Sequence, residues 1–294
     1  MLMASFALYG LGLGMVDASS AMQGVQLQHR MGKAVLSTLF ACATGASAAA
    51  ALVMSGLAHL GTVTGAITSL VLAAVGIATV VFSVRGRLVP ARELADEAST
   101  APRTPLPTAG IWLFGSLIMV AFVVDSSVST WSSVYLHDNL AAGAVIAPLG
   151  YAAYQASVLV TRLVGDRLVA HSRARLLVPT VLVAILGLVG VSLLRSPVAV
   201  VVAFALVGVG VSTLVPLTFS AAGDLAPERI HEVIARINLF NYAGAVLGAV
   251  ALGLLSAWPG LGPAFLLPTV LLVPALLFAR RFDRAKPIPV PEPV

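Results

Sequence analysis

Residues 111–135 read IWLFGSLIMVAFVVDSSVSTWSSVY, a long apolar run broken by one carboxylate, Asp125. Trp112 and Trp131 stand 19 residues apart near its two ends. At helical rise this is about 28 Å, close to the roughly 30 Å hydrocarbon thickness of a bilayer. Aromatic residues at both ends fit the interfacial belts of a spanning helix. Asp125 then lies about 9 Å from the Trp131 end. An ionised side chain at the centre of a spanning helix costs at least ~2.5–3.5 kcal/mol on insertion scales. Asp125 therefore needs a cavity, a partner or a purpose.

The composition agrees. Of 294 residues, 59% are hydrophobic and only 10% charged, and the mean hydropathy is +1.00. Soluble domains carry about 25% charge, so the chain reads as an integral membrane protein. The single cysteine, Cys42, excludes an internal disulfide and a cysteine-cluster metal site. It reads as a small packing residue.

Nine stretches have helix length: 1–23, 34–57, 61–84, 110–134, 141–164, 174–194, 197–221, 233–257 and 262–279. The first opens without a basic flank, so it does not read as a signal peptide. Of the 17 Lys and Arg residues, all but Arg195 fall on one side of these spans. The positive-inside rule makes that side cytoplasmic. The amino terminus is then outside and the carboxyl terminus inside, and the net charge of +5 reflects topology, with no nucleic-acid partner implied. The expected organisation is a partial amino-terminal half of three helices over 1–84 and a flexible cytoplasmic linker over 85–109. A complete six-helix half over 110–281 and a cytoplasmic tail over 282–294 follow. The six helices divide into two groups of three, the second inverted relative to the first, as in many secondary transporters.

Polar residues on these apolar helices are the candidate site. Asp17 lies at about mid-depth of the first span, a position where an acid reads as coupling to a proton or solute. The alternative is an acid bonded to neighbours such as Ser19 and Ser20, holding helices together. Asp125, Ser129 and Ser132 share a helical face, as do Tyr151, Tyr154 and Gln155, and again Asn238, Asn241 and Tyr242. Such stripes can line a polar cavity or bridge helices at under ~1 kcal/mol each. Gly244 and Gly248 form a small-xxx-small surface for close helix approach. Gly208-Val-Gly210 lacks the third glycine of a dinucleotide fingerprint, and no phosphate-loop, zinc or nucleophile motif is present. No enzymatic activity and no bound cofactor are implied.

Several motifs together resemble one family. Arg162-Leu-Val-Gly165-Asp166-Arg167, followed by Arg173 and Arg175, resembles the loop signature of the major facilitator superfamily. Gly12-Leu-Gly14-Met-Val-Asp17, Trp131-Ser-Ser-Val-Tyr135-Leu, Gly150-Tyr151-Ala-Ala-Tyr154 and Val215-Pro216-Leu-Thr-Phe219-Ser-Ala-Ala-Gly223 resemble a bacterial branch of inner-membrane permeases near the fucose permease group. That family has twelve helices in two halves, so this chain is similar to helices four to twelve, without the first three. Ala21 stands where the branch usually has Asn, and Thr130 where it often has Asp.

The resemblance implies an all-α polytopic bundle of about nine transmembrane helices. It implies a permease moving a small solute across the bacterial inner membrane by alternating access, coupled to protons. Asp17 and Asp125 are the coupling candidates; related fucose symporters also use a carboxylate on their fourth helix. The candidate cavity wall is Ser129, Ser132, Tyr151, Tyr154, Gln155, Asn238, Asn241 and Tyr242. Arg162, Gly165, Asp166 and Arg167 correspond to a latch between moving helices, or else to a solvated positive loop. The expected partners are the bilayer and one small solute, with a monomer expected at full length. The rival is a non-transporting remnant or membrane assembly partner; a membrane-embedded enzyme is weaker still, for want of a catalytic pair.

Overall fold

The computed structural model describes residues 8, 10, 12, 14–16, 19–20, 36–57, 62–84, 106–168, 173–226 and 229–282. Every regular element among them is helical: α1 (Leu36–Leu57), α2 (Thr62–Val84), α3 (Thr108–Val134), α4 (Leu149–Leu168), α5 (Arg173–Leu193), α6 (Pro197–Gly223), α7 (Ile230–Ala257), the short α8 (Leu261–Ala264) and α9 (Leu266–Phe282). A π-helical turn, Tyr135–Asn139, continues α3. The fold is thus the all-α membrane bundle expected. Thr108–Asn139, Pro197–Gly223 and Glu232–Ala257 are each long and apolar enough to cross a bilayer, and Cys42–Leu57, Ile67–Phe82, Leu177–Leu193 and Leu261–Leu277 are shorter apolar stretches.

Two compact units divide the chain. One comprises 1–43 and 66–101, the other 44–65 and 102–294. In the first, the described residues are helical, and hydroxyls bond back along their own helices. Ser19 Oγ donates to the Met15 carbonyl at 2.6 Å, and Thr79 Oγ1 to that of Val75 at 2.8 Å. Its helix α2 presents Leu70, Val71, Val75, Ile77, Val80 and Phe82 outward, a face suited to lipid and not to water.

The second unit holds the core. Tyr135, Tyr154, Phe204 and Phe265 are among its largest fully buried side chains. Phe204 and Phe265 meet edge to face at 5.6 Å.

Helix directions follow from which residues meet. Antiparallel α3 and α4 put Leu136 against Gly150 near their connection and Asp125 against Tyr154 further along. Along parallel α3 and α7, Gly115 meets Phe240, Gly244 meets the Met119 backbone and Gly248 the Val123 backbone, all at an offset of 125 residues. Parallel α4 and α6 meet where Gly150 faces Phe204 and Gly208 the Tyr154 carbonyl.

The α3–α7 seam depends on small residues, as the Gly244/Gly248 spacing predicts. A Cβ at either glycine would run into a backbone carbonyl oxygen of α3. Side-chain donors of α3 then close the seam. Ser126 Oγ donates to the Ala245 carbonyl at 2.5 Å, and the Trp131 indole N–H to that of Ala249 at 2.9 Å. Trp131 is therefore a packing residue resting over Gly253, where an interfacial belt is expected. Tyr135 is likewise wholly buried and donates to the Val191 carbonyl at 3.0 Å. Trp112 and Trp258, 67% and 83% exposed, remain free to occupy the interfaces.

Two boundaries differ from expectation. The helix expected from 141 begins at Leu149, because Ala141 has φ 51° and Pro148 falls just before the helix, where proline is favoured. The final span is split at Phe265 into α8 and α9. Pro268 has no N–H to donate to Ala264, the residue four positions back.

Candidate functional site

Helices α3, α4 and the 44–57 portion of α1 bring Asp125, Tyr151, Tyr154, Gln155 and Arg162 of the second unit together with Thr44 and Ser47. Asp125 is half-buried on α3 and accepts a hydrogen bond from the Tyr154 hydroxyl at 2.7 Å. Tyr154 is only 1% exposed, so a phenol committed to the protein interior has its polar end satisfied by a carboxylate. Buried phenols need such a partner, and a carboxylate in a spanning helix needs such a donor.

A second layer surrounds this pair. One turn along α4, Gln155 Nε2 donates to the Tyr151 oxygen at 3.1 Å, and Tyr151 also hydrogen-bonds Ser47 of α1. Two turns further along, Arg162 Nη1 donates to Thr44 Oγ1 of α1 at 2.9 Å. Its guanidinium is within electrostatic range of both Asp125 and Tyr154. The set contains one acid and one base, both partly withdrawn from solvent.

The register of α1 against α4 makes this possible. The helices run antiparallel, with Thr44 by Arg162, Gly45 by Leu159, and Ser55 donating to the Val145 carbonyl at 2.5 Å. Thr44 and Ser47 are three residues apart and so share a face of α1. That spacing is a signal already present in the sequence.

The other candidates are placed as follows. Ser129 is exposed and bonds to the Ser126 carbonyl at 3.3 Å. Ser132, on the same helical face, is fully buried, and its Oγ has no hydrogen-bond partner among the described residues. Asn238 and Asn241 are half-buried on α7, and Tyr242 is 44% exposed there. Gly165, Asp166 and Arg167 belong to the last turn of α4, with side chains outside the described set. Asp17 lies outside the described residues altogether.

Arg162 has partners on other helices. Grouped in the sequence with a helix-end latch, it projects back toward Thr44 and the field of Asp125. Long helical side chains lean toward the amino-terminal end of their helix. On α4 that direction leads toward Tyr154.

The sequence matches relatives over most of its length. The family model described as Major Facilitator Superfamily covers residues 1–249. An uncharacterised MFS-type transporter of Yersinia pestis is 28% identical over 285 residues, 94% of this chain and 71% of that protein. An uncharacterised transporter of Sinorhizobium fredii is 33% identical over 153 residues, covering 51% of this chain and 40% of its own length. The membrane protein MosC of Rhizobium meliloti is 27% identical over 155 residues, 52% of this chain and 38% of that protein. A bundle of apolar helices, polar residues gathered between three of them and a family match over residues 1–249 lead to one conclusion: the chain belongs to the Major Facilitator Superfamily, a family of membrane transporters.

Proposed function

We propose that this protein is a permease of the bacterial inner membrane, near the fucose permease group, that moves a small solute by alternating access coupled to protons. One observation carries the reading: a carboxylate well inside a spanning helix is bonded to the phenol of a neighbouring helix. Acids within membrane spans occur chiefly on proton and solute pathways. The names of the Yersinia and Sinorhizobium relatives, both transporters, support the same activity.

In this mechanism Asp125 carries the proton in the six-helix half, and Asp17 is its counterpart in the other. Ionised, Asp125 accepts from Tyr154 and is countered at a distance by Arg162. Protonated, it becomes a donor itself, and its bond from the Tyr154 hydroxyl weakens to a neutral one. Protonation also leaves Arg162 without its counter-charge. Either change alters what the surrounding polar side chains offer a solute. Tyr151, Gln155, Ser129, Ser132, Asn238, Asn241 and Tyr242 are the proposed cavity wall. Gly165, Asp166 and Arg167 are the proposed latch at the cytoplasmic end, with the carboxyl terminus on that side.

The test begins with a metabolite panel scored by thermal stabilisation of the purified protein. Uptake of the stabilising solute into proteoliposomes is then measured with and without a pH gradient. Asp125→Asn and Asp17→Asn are each expected to abolish gradient-driven uptake at near-normal expression. Undiminished proton-driven uptake in Asp125→Asn removes that residue from the mechanism.

A further inference from the structure

Away from the polar cluster, a groove of about 170 Å³ opens between the first turns of α3 and the start of α7. Thr108, Ile111, Trp112, Arg236, Leu239 and Phe240 line it. We infer that it seats the phosphodiester headgroup of an anionic phospholipid, with Arg236 holding the phosphate and Trp112, Leu239 and Phe240 flanking the glycerol and upper acyl chain.

Three observations select this occupant. First, the groove is smaller than the roughly 300–1,000 Å³ of a pocket that encloses a drug-sized ligand. It suits one fragment of a molecule whose remainder lies outside. Second, its walls are apolar and strongly exposed, Trp112 at 67% and Leu239 at 66%. Those two side chains continue onto the outward apolar face of α7, which also carries Val246, Val250 and Leu254. An acyl chain can follow that face, and a soluble anion cannot use it.

Third, the charge is single: Arg236 lies within electrostatic range of Glu232 but is bonded to no carboxylate among the described residues. Glu232 lies one turn from Arg236, but both of its oxygens are taken by Arg229 in a fork-to-fork pair. Among the described residues no acid lines the groove. The wall is also held in place. Phe240 meets Trp112 edge to face at 5.1 Å and rests against Gly115, where a Cβ would come within 2.5 Å of its ring.

Depth agrees with the charge. The groove sits at the end of the bundle where the positive residues of the sequence gather, the face proposed to be cytoplasmic. Anionic lipids attract basic side chains there, and basic pockets between helices at that level bind their headgroups.

The test needs no transport, so a failure of the permease reading leaves it intact. The full chain is reconstituted in phosphatidylcholine vesicles containing a minor fraction of brominated phosphatidylglycerol or, separately, brominated phosphatidylcholine. Tryptophan quenching is then recorded. The brominated anionic lipid is expected to quench the wild type with about fivefold greater apparent affinity. That preference is expected to disappear in Trp112→Phe and in Arg236→Gln and to persist in Arg236→Lys. Raising the salt to about 1 M, where the Debye length falls to roughly 3 Å, is expected to weaken it in the wild type, a result independent of any variant. Inorganic phosphate is expected to leave it unchanged. Equal quenching by the two lipids, a preference undiminished in Arg236→Gln, or displacement by inorganic phosphate would each overturn the assignment.

Discussion

Replacing Tyr154 by Phe removes one hydroxyl from a fully buried ring and leaves the ring packing in place. Asp125 then loses the donor that stands 2.7 Å from its Oδ1. A hydrogen bond to an ionised group contributes about 1.5–3 kcal/mol, and one between neutral groups about 0.5–1.5 kcal/mol. Side-chain couplings within one helical membrane protein average about 0.6 and reach about 1.7 kcal/mol, so the lower part of the first range applies. The expected cost of Tyr154→Phe is about 1.5 kcal/mol when Asp125 is ionised. In an Asp125→Asn background the bond survives as a neutral one, and the same substitution is expected to cost about 0.6 kcal/mol. The difference isolates the contribution of the carboxylate charge, as a double-mutant cycle requires. The assay is reversible denaturation of the four proteins in mixed micelles at alkaline pH. Repetition at acid pH, where Asp125 is protonated, is expected to bring the two costs together. Equal costs at alkaline pH would show that no ionised carboxylate receives this hydroxyl. Costs near zero in both backgrounds would show that the bond is not made.

Other outcomes follow from the packing. Gly248→Leu and Gly244→Val each drive side-chain atoms into the α3 backbone and are expected to cost about 1–3 kcal/mol or more, read as a fall in melting temperature. Gly76→Ala, whose Cβ meets nothing within 4 Å, is expected to be neutral or stabilising by up to about 1 kcal/mol and serves as the control. Arg162→Gln removes both the bond to Thr44 and the charge facing Asp125, so its stability cost is expected to be smaller by about 0.5 kcal/mol or more in an Asp125→Asn background; an equal cost in the two backgrounds would show that the two charges are not coupled. Trp131→Phe keeps much of the ring contact over Gly253 but loses the bond to the Ala249 carbonyl, and is expected to cost about 0.5–1.5 kcal/mol by the same denaturation assay.

The parts of this structure that were legible in the sequence are those governed by composition and local period. Residues 111–134 form a helix because two thirds of them are apolar or glycine, their polar residues are mostly small hydroxyls that can bond back to the helix, and no proline interrupts them. Gly244 and Gly248 mark a seam because only glycines four apart let two backbones touch. Nothing local pairs Asp125 with Tyr154. That contact depends on how far the connection through 141–148 carries the chain before α4 begins. The sequence reading placed that start eight residues early, since the intervening residues are as apolar as a helix. The neighbours of Arg162 are hidden for a related reason: a motif fixes its position along α4, whereas Thr44 and Asp125 are 118 and 37 residues away in the chain. Thr44 and Ser47 carried a signal in their spacing, but two small hydroxyl residues on an alanine-rich helix look no different from packing residues.

The shared offset of 125 residues along α3 and α7 has a mechanical consequence. Sliding one helix past the other by about 1.5 Å, the rise of a single residue, would carry Gly244 and Gly248 off the α3 backbone that each now accommodates and pull on the Ser126–Ala245 and Trp131–Ala249 bonds. Longitudinal slip is blocked at several levels at once, so these two helices behave as a single strut. Any rocking of this unit must carry both together, with the compliance falling on interfaces that lack such a lock.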